Sequence, residues 1–345
     1  MKKAVAIILV LAVVFCGWYF VSNKAATEAP QAAQNAQSSD QIIIKVGSID
    51  SDSHPTIQAM NKQFKEPLEK LSNGRIKVEI YPNAQLGGDR EMSEAVQMGT
   101  LQMAIPATSP LAGFDKRVQI VDIPYLFSSR ETAFEGIDGE LGKTLNGYLE
   151  SKGFAVLGYL ENGMRHVTNS KRPIYTPEDM KGIKIRTMEN PMHMAYFKQV
   201  GANPTPMSWG ELYTALQQKT VDAQENPYAL IVDGKFFEVQ KYASETGHVF
   251  SFELIIANKK FMEGLPKDLK ELVEKCATDA CLAQRKVMAE QEESFKQQCI
   301  KAGMKCNTLT PEQKKAFIAA SEPVYKQFEA ELGKEIMEIA RKVQK

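Results

Sequence analysis

From Ile42 onward the chain alternates short apolar runs with stretches of helical spacing, and that order limits the fold more than any other feature. Ile42 to Val46 reads as a strand covered on both faces. Ser53-His54-Pro55 opens a helix, with proline tolerated in the first turn. Ile57, Met60, Phe64, Leu68 and Leu71 fall on one face of it, and Pro67 predicts a kink because it removes a helical hydrogen bond. Asn73-Gly74 ends the helix, and Ile76, Val78 and Ile80 alternate as a second strand. Gly87-Gly88-Asp89-Arg90 turns into the next helix, with Asp89 placed to cap it. Leu101 to Ile105 is a strand, and Val118 to Phe127 is an apolar segment broken by Pro124. A helix from about Ser129 to Lys152 and a strand from Phe154 to Leu160 follow. Such alternation predicts an α/β domain with a largely parallel sheet.

A second domain is expected to start near Asn162. Thr176-Pro177-Glu178-Asp179 gives a helical turn, Gly182 ends it, and Ile183 to Arg186 is a strand. Ser208-Trp209-Gly210-Glu211 has the form of a capping box opening a helix. Val221 to Ala223 leads into the polar run Gln224-Glu225-Asn226. After Leu265-Pro266 the spacing predicts a helix from Lys267 to Ala302, which at 1.5 Å per residue spans ~50 Å and reaches across two domains. A last helical segment starts at Thr310-Pro311-Glu312, with breaks expected at Pro323 and Gly333.

Lys and Arg together number 42, as do Asp and Glu, so no strong field draws the chain to nucleic acid. Lys2 and Lys3 precede an apolar run from Ala4 to Val21, so residues 1–21 read as a signal peptide or a retained anchor, with Cys16 leaving a lipid-modified cysteine as a third option. All three place the remainder outside the cytoplasm. Residues 22–40 are poor in aliphatic side chains and read as a flexible linker.

Cys276, Cys281, Cys299 and Cys306 give an even number in an exported chain, which favours disulfides. Cys299 and Cys306 flank Gly303, where a helix turns into a strand, and are expected to pair. Cys276 and Cys281 form the second expected bridge, which requires a local break near Thr278-Asp279 because five residues on an intact helix exceed disulfide reach. Zinc is the rival reading of these cysteines, yet no histidine lies near them in sequence.

The candidate site lies between Arg165 and Asn226. Arg186 and Asn226 sit at the carboxyl ends of expected strands, where open α/β sheets bind ligands. The Arg186 fork suits a carboxylate, and a strand-end salt bridge is the alternative. Arg165 fits a second anion contact or a hinge strand. Asn226 fits a ligand donor or a turn cap, and Trp209 a pocket wall or core filler. His54 follows a polar loop, Ser48 to His54, that can supply it to the pocket. No Gly-x-Ser-x-Gly, phosphate-cradling loop or His-Glu-x-x-His is present, and the four histidines lack metal-ligand spacing. Binding therefore fits better than catalysis, and neither metal nor cofactor is expected.

Four segments in order carry a family resemblance: Tyr81 to Arg90, Asp179 to Arg186, Val221 to Pro227, and Phe237 to Tyr242. Together they resemble the solute receptors of tripartite ATP-independent periplasmic (TRAP) transporters, of the DctP type, from about Ile42 to the C-terminus. The resemblance implies a two-domain periplasmic-binding-protein fold with a cleft between the domains and a long helix spanning both. It implies residues 41–162 plus about 252–291 as one domain and 163–251 plus about 292–345 as the other. It further implies a monomer that closes around a small organic acid and delivers it to a membrane permease. Arg186 matches the family's carboxylate-binding arginine. Arg165, Asn226 and Asp89 match cleft positions, and Trp209 an aromatic on the pocket wall. Pro106-Ala107-Thr108 carries no acid where sialic-acid-type members have one, which points away from that ligand. An exported enzyme acting on a carboxylated substrate, or a ligand-sensing partner of a signalling receptor, are the alternative classes.

Overall fold

A computed structural model describes residues 41–344; the signal or anchor segment and the linker expected over residues 1–40 lie outside them. Eleven strands form two sheets among the described residues. The first sheet has the order β2-β1-β3-β10-β4, from β1 (Ile42–Ser48), β2 (Ile76–Tyr81), β3 (Met103–Ile105), β4 (Phe154–Met164) and β10 (Phe250–Asn258). The second has the order β11-β9-β5-β8-β6-β7, from β5 (His166–Asn169), β6 (Lys184–Thr187), β7 (Asn203–Pro206), β8 (Ala223–Asn226), β9 (Tyr242–Glu245) and β11 (Lys305–Thr308). Strands β1, β2 and β3 are parallel, as are β6, β7 and β8, as the alternating sequence predicts. Strand β10 runs antiparallel to β3 and β4, and β5 antiparallel to β8 and β9.

The antiparallel strands join the two sheets. Strand β4 ends at Met164 and β5 begins at His166, so the chain changes sheet across the single residue Arg165. The return runs from β9 to β10, and the Arg165 amide donates to Val249 O at 2.8 Å, holding the two crossings together. Every residue of β10 is buried, because its sheet is covered on both faces.

The long helix Lys267–Lys301 is unbroken. Leu269, Val273, Cys276, Ala277, Ala280 and Cys281 recur at helical spacing and pack into the core of the first sheet. Gly158 of β4 permits this approach, since a Cβ there would stand 2.6 Å from Cys281 Sγ. Gln284 then ties the helix to β4 by exchanging hydrogen bonds with the Glu161 main chain at 2.9 and 2.7 Å. Near its other end Cys299 packs with Phe236, Ala243 and Met304 beneath the second sheet, so one helix braces both lobes.

Several local expectations change. Both expected disulfides are absent: all four described cysteines are free thiols. Cys276 and Cys281 stay on intact helix, with no break at Thr278-Asp279, and serve as core side chains. Cys299 is buried, and the half-buried Cys306 thiol points to Met304 O at 4.0 Å. Pro67 acts one turn earlier than a simple kink: the helix Pro55–Ala59 passes through a π-helical stretch, Met60–Lys65, before resuming at Glu66–Leu71. Leu71 lies exposed rather than on the buried face. The helix expected over Ser129 to Lys152 divides at Gly139 into Arg130–Asp138 and Glu140–Glu150. Pro323 lies inside a continuous helix, Pro311–Leu332, and only Gly333 (φ 95°) breaks the segment. The final helix, Lys334–Val343, packs beside the two helices around Gly139, where Lys342 pairs with Glu140 at 2.8 Å.

Candidate ligand-binding site

Arg186 stands at the end of β6, paired across to Thr205 of β7. Its side chain is buried, and Nε donates to Met207 O at 2.9 Å. It takes part in no ion pair among the described residues, so the terminal nitrogens of the fork keep their donors. Burial pulls its pKa down to about 10; Glu225 opposes this, Arg165 adds to it, and Asp89 and Glu189 oppose it. A buried guanidinium without a carboxylate partner is an uncompensated charge that an anionic ligand satisfies.

Arg165 has the opposite character. It is fully buried, and Nε and Nη2 grip the Glu225 carboxylate at 2.5 and 2.9 Å. Nη2 also donates to Glu225 O and to Asn226 Oδ1, at 2.6 and 2.8 Å. Burial acts to raise the Glu225 carboxyl, yet Arg165 and a hydrogen bond from His248 hold it well below the usual range. Asn226 spends its Nδ2 on Gln224 Oε1, and Gln224 reaches Thr168 at 2.7 Å. Arg165 thus bonds both Glu225 and Asn226 at the strand crossing, whereas Arg186 forms no ion pair among the described residues.

The first lobe supplies one acid, Asp89, within electrostatic reach of Arg186, and further acids around Asp89. Asp89 is the first residue of the helix Asp89–Met98, and Gly88 takes the capping position expected of Asp89. That helix end meets the second lobe: a Cβ on Gly88 would lie 3.5 Å from Ser208 Cβ, and Arg90 pairs with Glu189 at 3.7 Å. Ser208 itself bonds Glu211 through side chains rather than capping its helix through the main chain. Asp89 Oδ1 is buried without a partner. Burial, then Asp50, push its carboxyl up to about 7, against the Ala107 amide and Arg186.

Asp50 follows β1 and is fully buried, with Oδ2 accepting from Ser48 at 2.7 Å and Oδ1 unpartnered. His54 Nδ1 accepts from Thr56 N at 3.3 Å, which leaves the proton on Nε2, a buried donor without a partner. Glu253 of β10 accepts from Thr56 at 2.9 Å. His54 also lines a cavity of about 590 Å³ between the lobes, with Ser51, Asn83, Val232, Asp233 and Phe295. Ser51 N donates to Asp233 at 3.1 Å across that gap, and its hydroxyl binds the same carboxylate. Trp209 lies edge-on against Phe236 at 5.2 Å and lines a separate cavity of about 200 Å³ with Ser51, Asn83 and Tyr213.

Sequence reasoning missed Glu225, Asp50, Glu253 and His248. Glu225 stood inside a quoted motif, and an acid between two buried strand residues was the available signal. The others come from separate segments that meet only in the fold. No group of His, Cys, Asp and Glu suited to a metal ion occurs among the described residues.

Residues 46–331 match the family profile of bacterial extracellular solute-binding protein, family 7 (DctP). The chain belongs to this family. It is 39% identical over 256 residues, 74% of its length and 77% of the relative's, to the 2,3-diketo-L-gulonate-binding periplasmic protein YiaO of Escherichia coli. It is 33% identical over 301 residues, 87% of its length and 90% of the relative's, to the C4-dicarboxylate-binding periplasmic protein DctP of Vibrio cholerae. Among solved structures it is similar to a TRAP periplasmic solute-binding protein from Polaromonas sp. JS666 bound to D-erythronate, with a TM-score of 0.83 and 39% identity. That match covers 88% of this chain and 98% of the other. The TRAP receptor fold is therefore shared: two α/β lobes, a cleft between them and a helix across both.

Proposed function

We propose that this family 7 protein is the periplasmic receptor of a TRAP transporter, which binds a small organic acid through Arg186, closes around it and hands it to a membrane permease. One observation carries the clamp: Arg186 is buried at a strand end, bonded among the described residues only through Nε to Met207 O, while the neighbouring Arg165 is already neutralised by Glu225. The names of the relatives, which bind a diketogulonate and C4-dicarboxylates, support a carboxylate ligand. Lobe closure is supported by side-chain contacts between segments of the two lobes: Ser51 to Asp233, and Asn190 to Asp122 at 2.8 Å. The lobe boundaries we assign follow the two crossings, near Arg165 and Val249.

A calorimetric screen of organic acids against the purified chain tests the first part. A bound acid recovered unchanged after prolonged incubation supports a receptor, and turnover of it overturns this function. Uptake by proteoliposomes holding the permease subunits, with and without the receptor, tests delivery.

A further inference from the structure

We infer that Ser51 and Asp233 form a latch between the lobes, a two-point contact away from the strand crossings that slows release of whatever the cleft holds. This rests on the lobe closure proposed above and adds the residues that set how long the lobes stay together.

Ser51 lies in the loop after β1 of the first lobe, and Asp233 stands 182 residues later in the second. The Ser51 amide donates to Asp233 Oδ2 at 3.1 Å and its hydroxyl donates to Oδ1, so one residue satisfies both carboxylate oxygens. The donor half is preset. His54 N donates to Ser51 O at 3.0 Å, Asn83 N to Asp50 O at 2.7 Å, and Gln58 Nε2 to Asp52 O at 2.6 Å. These bonds hold the main chain of the loop with no help from the second lobe.

The acceptor half has no local reason to exist. Asp233 is the last residue of the helix Tyr228–Asp233. A helix end of this kind presents carbonyls rather than amides, and the negative pole of its dipole disfavours a carboxylate. Asp233 forms no ion pair among the described residues, and its hydrogen bonds there come from Ser51 of the other lobe. The acid is explained by what lies across the gap.

Position makes the contact sensitive to lobe movement. Pro227, which caps that helix, packs against Gly163 of β4 beside the crossing, where a Cβ on Gly163 would lie 3.1 Å from Pro227 Cβ. The six residues of the helix carry Asp233 ~9 Å farther along. A rotation about the crossing therefore displaces Asp233 more than it displaces Arg165 or Glu225. Ser51 and Asp233 also line both the cavity that holds His54 and the one that holds Trp209, so their contact partitions the space between the lobes. A bond made in one lobe arrangement and lost in another shifts the balance between them, and with it the rate of ligand escape.

The test is stopped-flow kinetics of the intact chain with D-erythronate and succinate as probes, joined to small-angle X-ray scattering of the same variants. Asp233→Ala is expected to raise the dissociation rate about tenfold, the scale of a hydrogen bond to a charged group, and to change the association rate less than about twofold. Ser51→Ala keeps the amide and is expected to raise dissociation about threefold. Adding it to Asp233→Ala is expected to change nothing further, because its partner is already gone. Ser51→Thr keeps both donors, and Asp52→Asn removes a neighbouring charge without touching the contact; both are expected to keep the native rates. Scattering is expected to show a larger radius of gyration for Asp233→Ala. Dissociation rate and scattering curve both unchanged in Asp233→Ala overturn the latch and leave the Arg186 clamp standing. A lowered unfolding midpoint with neither of those changes marks a merely structural contact and overturns it as well. Failure of both acids to bind the native chain counts against the clamp, and the scattering shift then decides the latch by itself.

Discussion

Arg165 and Glu225 form a two-point ion pair in which both side chains are wholly buried, with Nε–Oε2 at 2.5 Å and Nη2–Oε1 at 2.9 Å. The pair sits where the chain changes sheets, so it fixes the crossing geometry that sets one lobe against the other. Removing one member leaves the other charge buried and alone. Glu225→Ala is expected to lower unfolding free energy by about 3–5 kcal/mol. Urea denaturation showing a loss below 1 kcal/mol, roughly the worth of an exposed pair, counts against this role.

The same pair sets an acid limit. The folded Glu225 carboxyl lies below its ordinary value of 4.5, so its contribution is complete above that value and is lost as pH falls. Thermal unfolding between pH 5 and pH 3, spanning that ordinary value of 4.5, is expected to show a steep fall in the native chain and a shallower one in Glu225→Gln.

Asp89 and Glu161 act in the opposite direction. Both folded carboxyls are raised to about 7, chiefly by burial, from 3.8 and 4.5. The folded state therefore holds more protons than the unfolded state between those limits, and stability falls as pH rises through the interval. Asp50 and Glu253, also raised, add to the slope. Asp89→Asn is expected to flatten the decline of the ligand-free protein from about pH 4 to 7. A decline as steep as in the native chain would show that Asp89 does not carry it.

Arg186 is expected to separate binding from stability. Arg186→Ala should cost roughly 3–5 kcal/mol of ligand binding, because the ligand carboxylate is left buried without a partner. Arg186→Lys also binds weakly, having lost the planar fork. In the ligand-free protein the same residue is a burden, so Arg186→Met is expected to be neutral or stabilising by up to about 2 kcal/mol. Calorimetry placing the Ala or Lys variant within about threefold of the native affinity, under 1 kcal/mol, would falsify the clamp.

The thiols give a direct check on the missing disulfides. Cys276, Cys281 and Cys299 are buried, and Cys306 is half-buried. Burial pushes the Cys281 and Cys299 thiols up to about 12, which suppresses thiolate attack. Alkylation of the folded protein is expected to reach Cys306 first, and all four positions only after unfolding without reductant. Cross-linked peptides in non-reducing mapping would overturn the free-thiol assignment.

The sequence by itself determined the class of the fold. Apolar strands alternating with amphipathic helices can bury their faces only as layered α/β units, and the unbroken 35-residue helix is long enough to reach both lobes. Placing Arg186 at a strand end likewise needed only local periodicity. What local pattern left open, tertiary structure decided. Two arginines of similar sequence context acquired opposite roles, because Glu225 is 60 residues from Arg165 in sequence yet adjacent across β5 and β8. Asp50, Asp89 and Glu253, far apart in sequence, came within electrostatic reach of one another only in the folded chain. Cys276, Cys281 and Cys299, read from their sequence as members of bridges, became core packing once the helix that carries them proved continuous. Charge compensation and packing depend on which distant segments meet, and that information lies in the folded arrangement rather than in neighbouring residues.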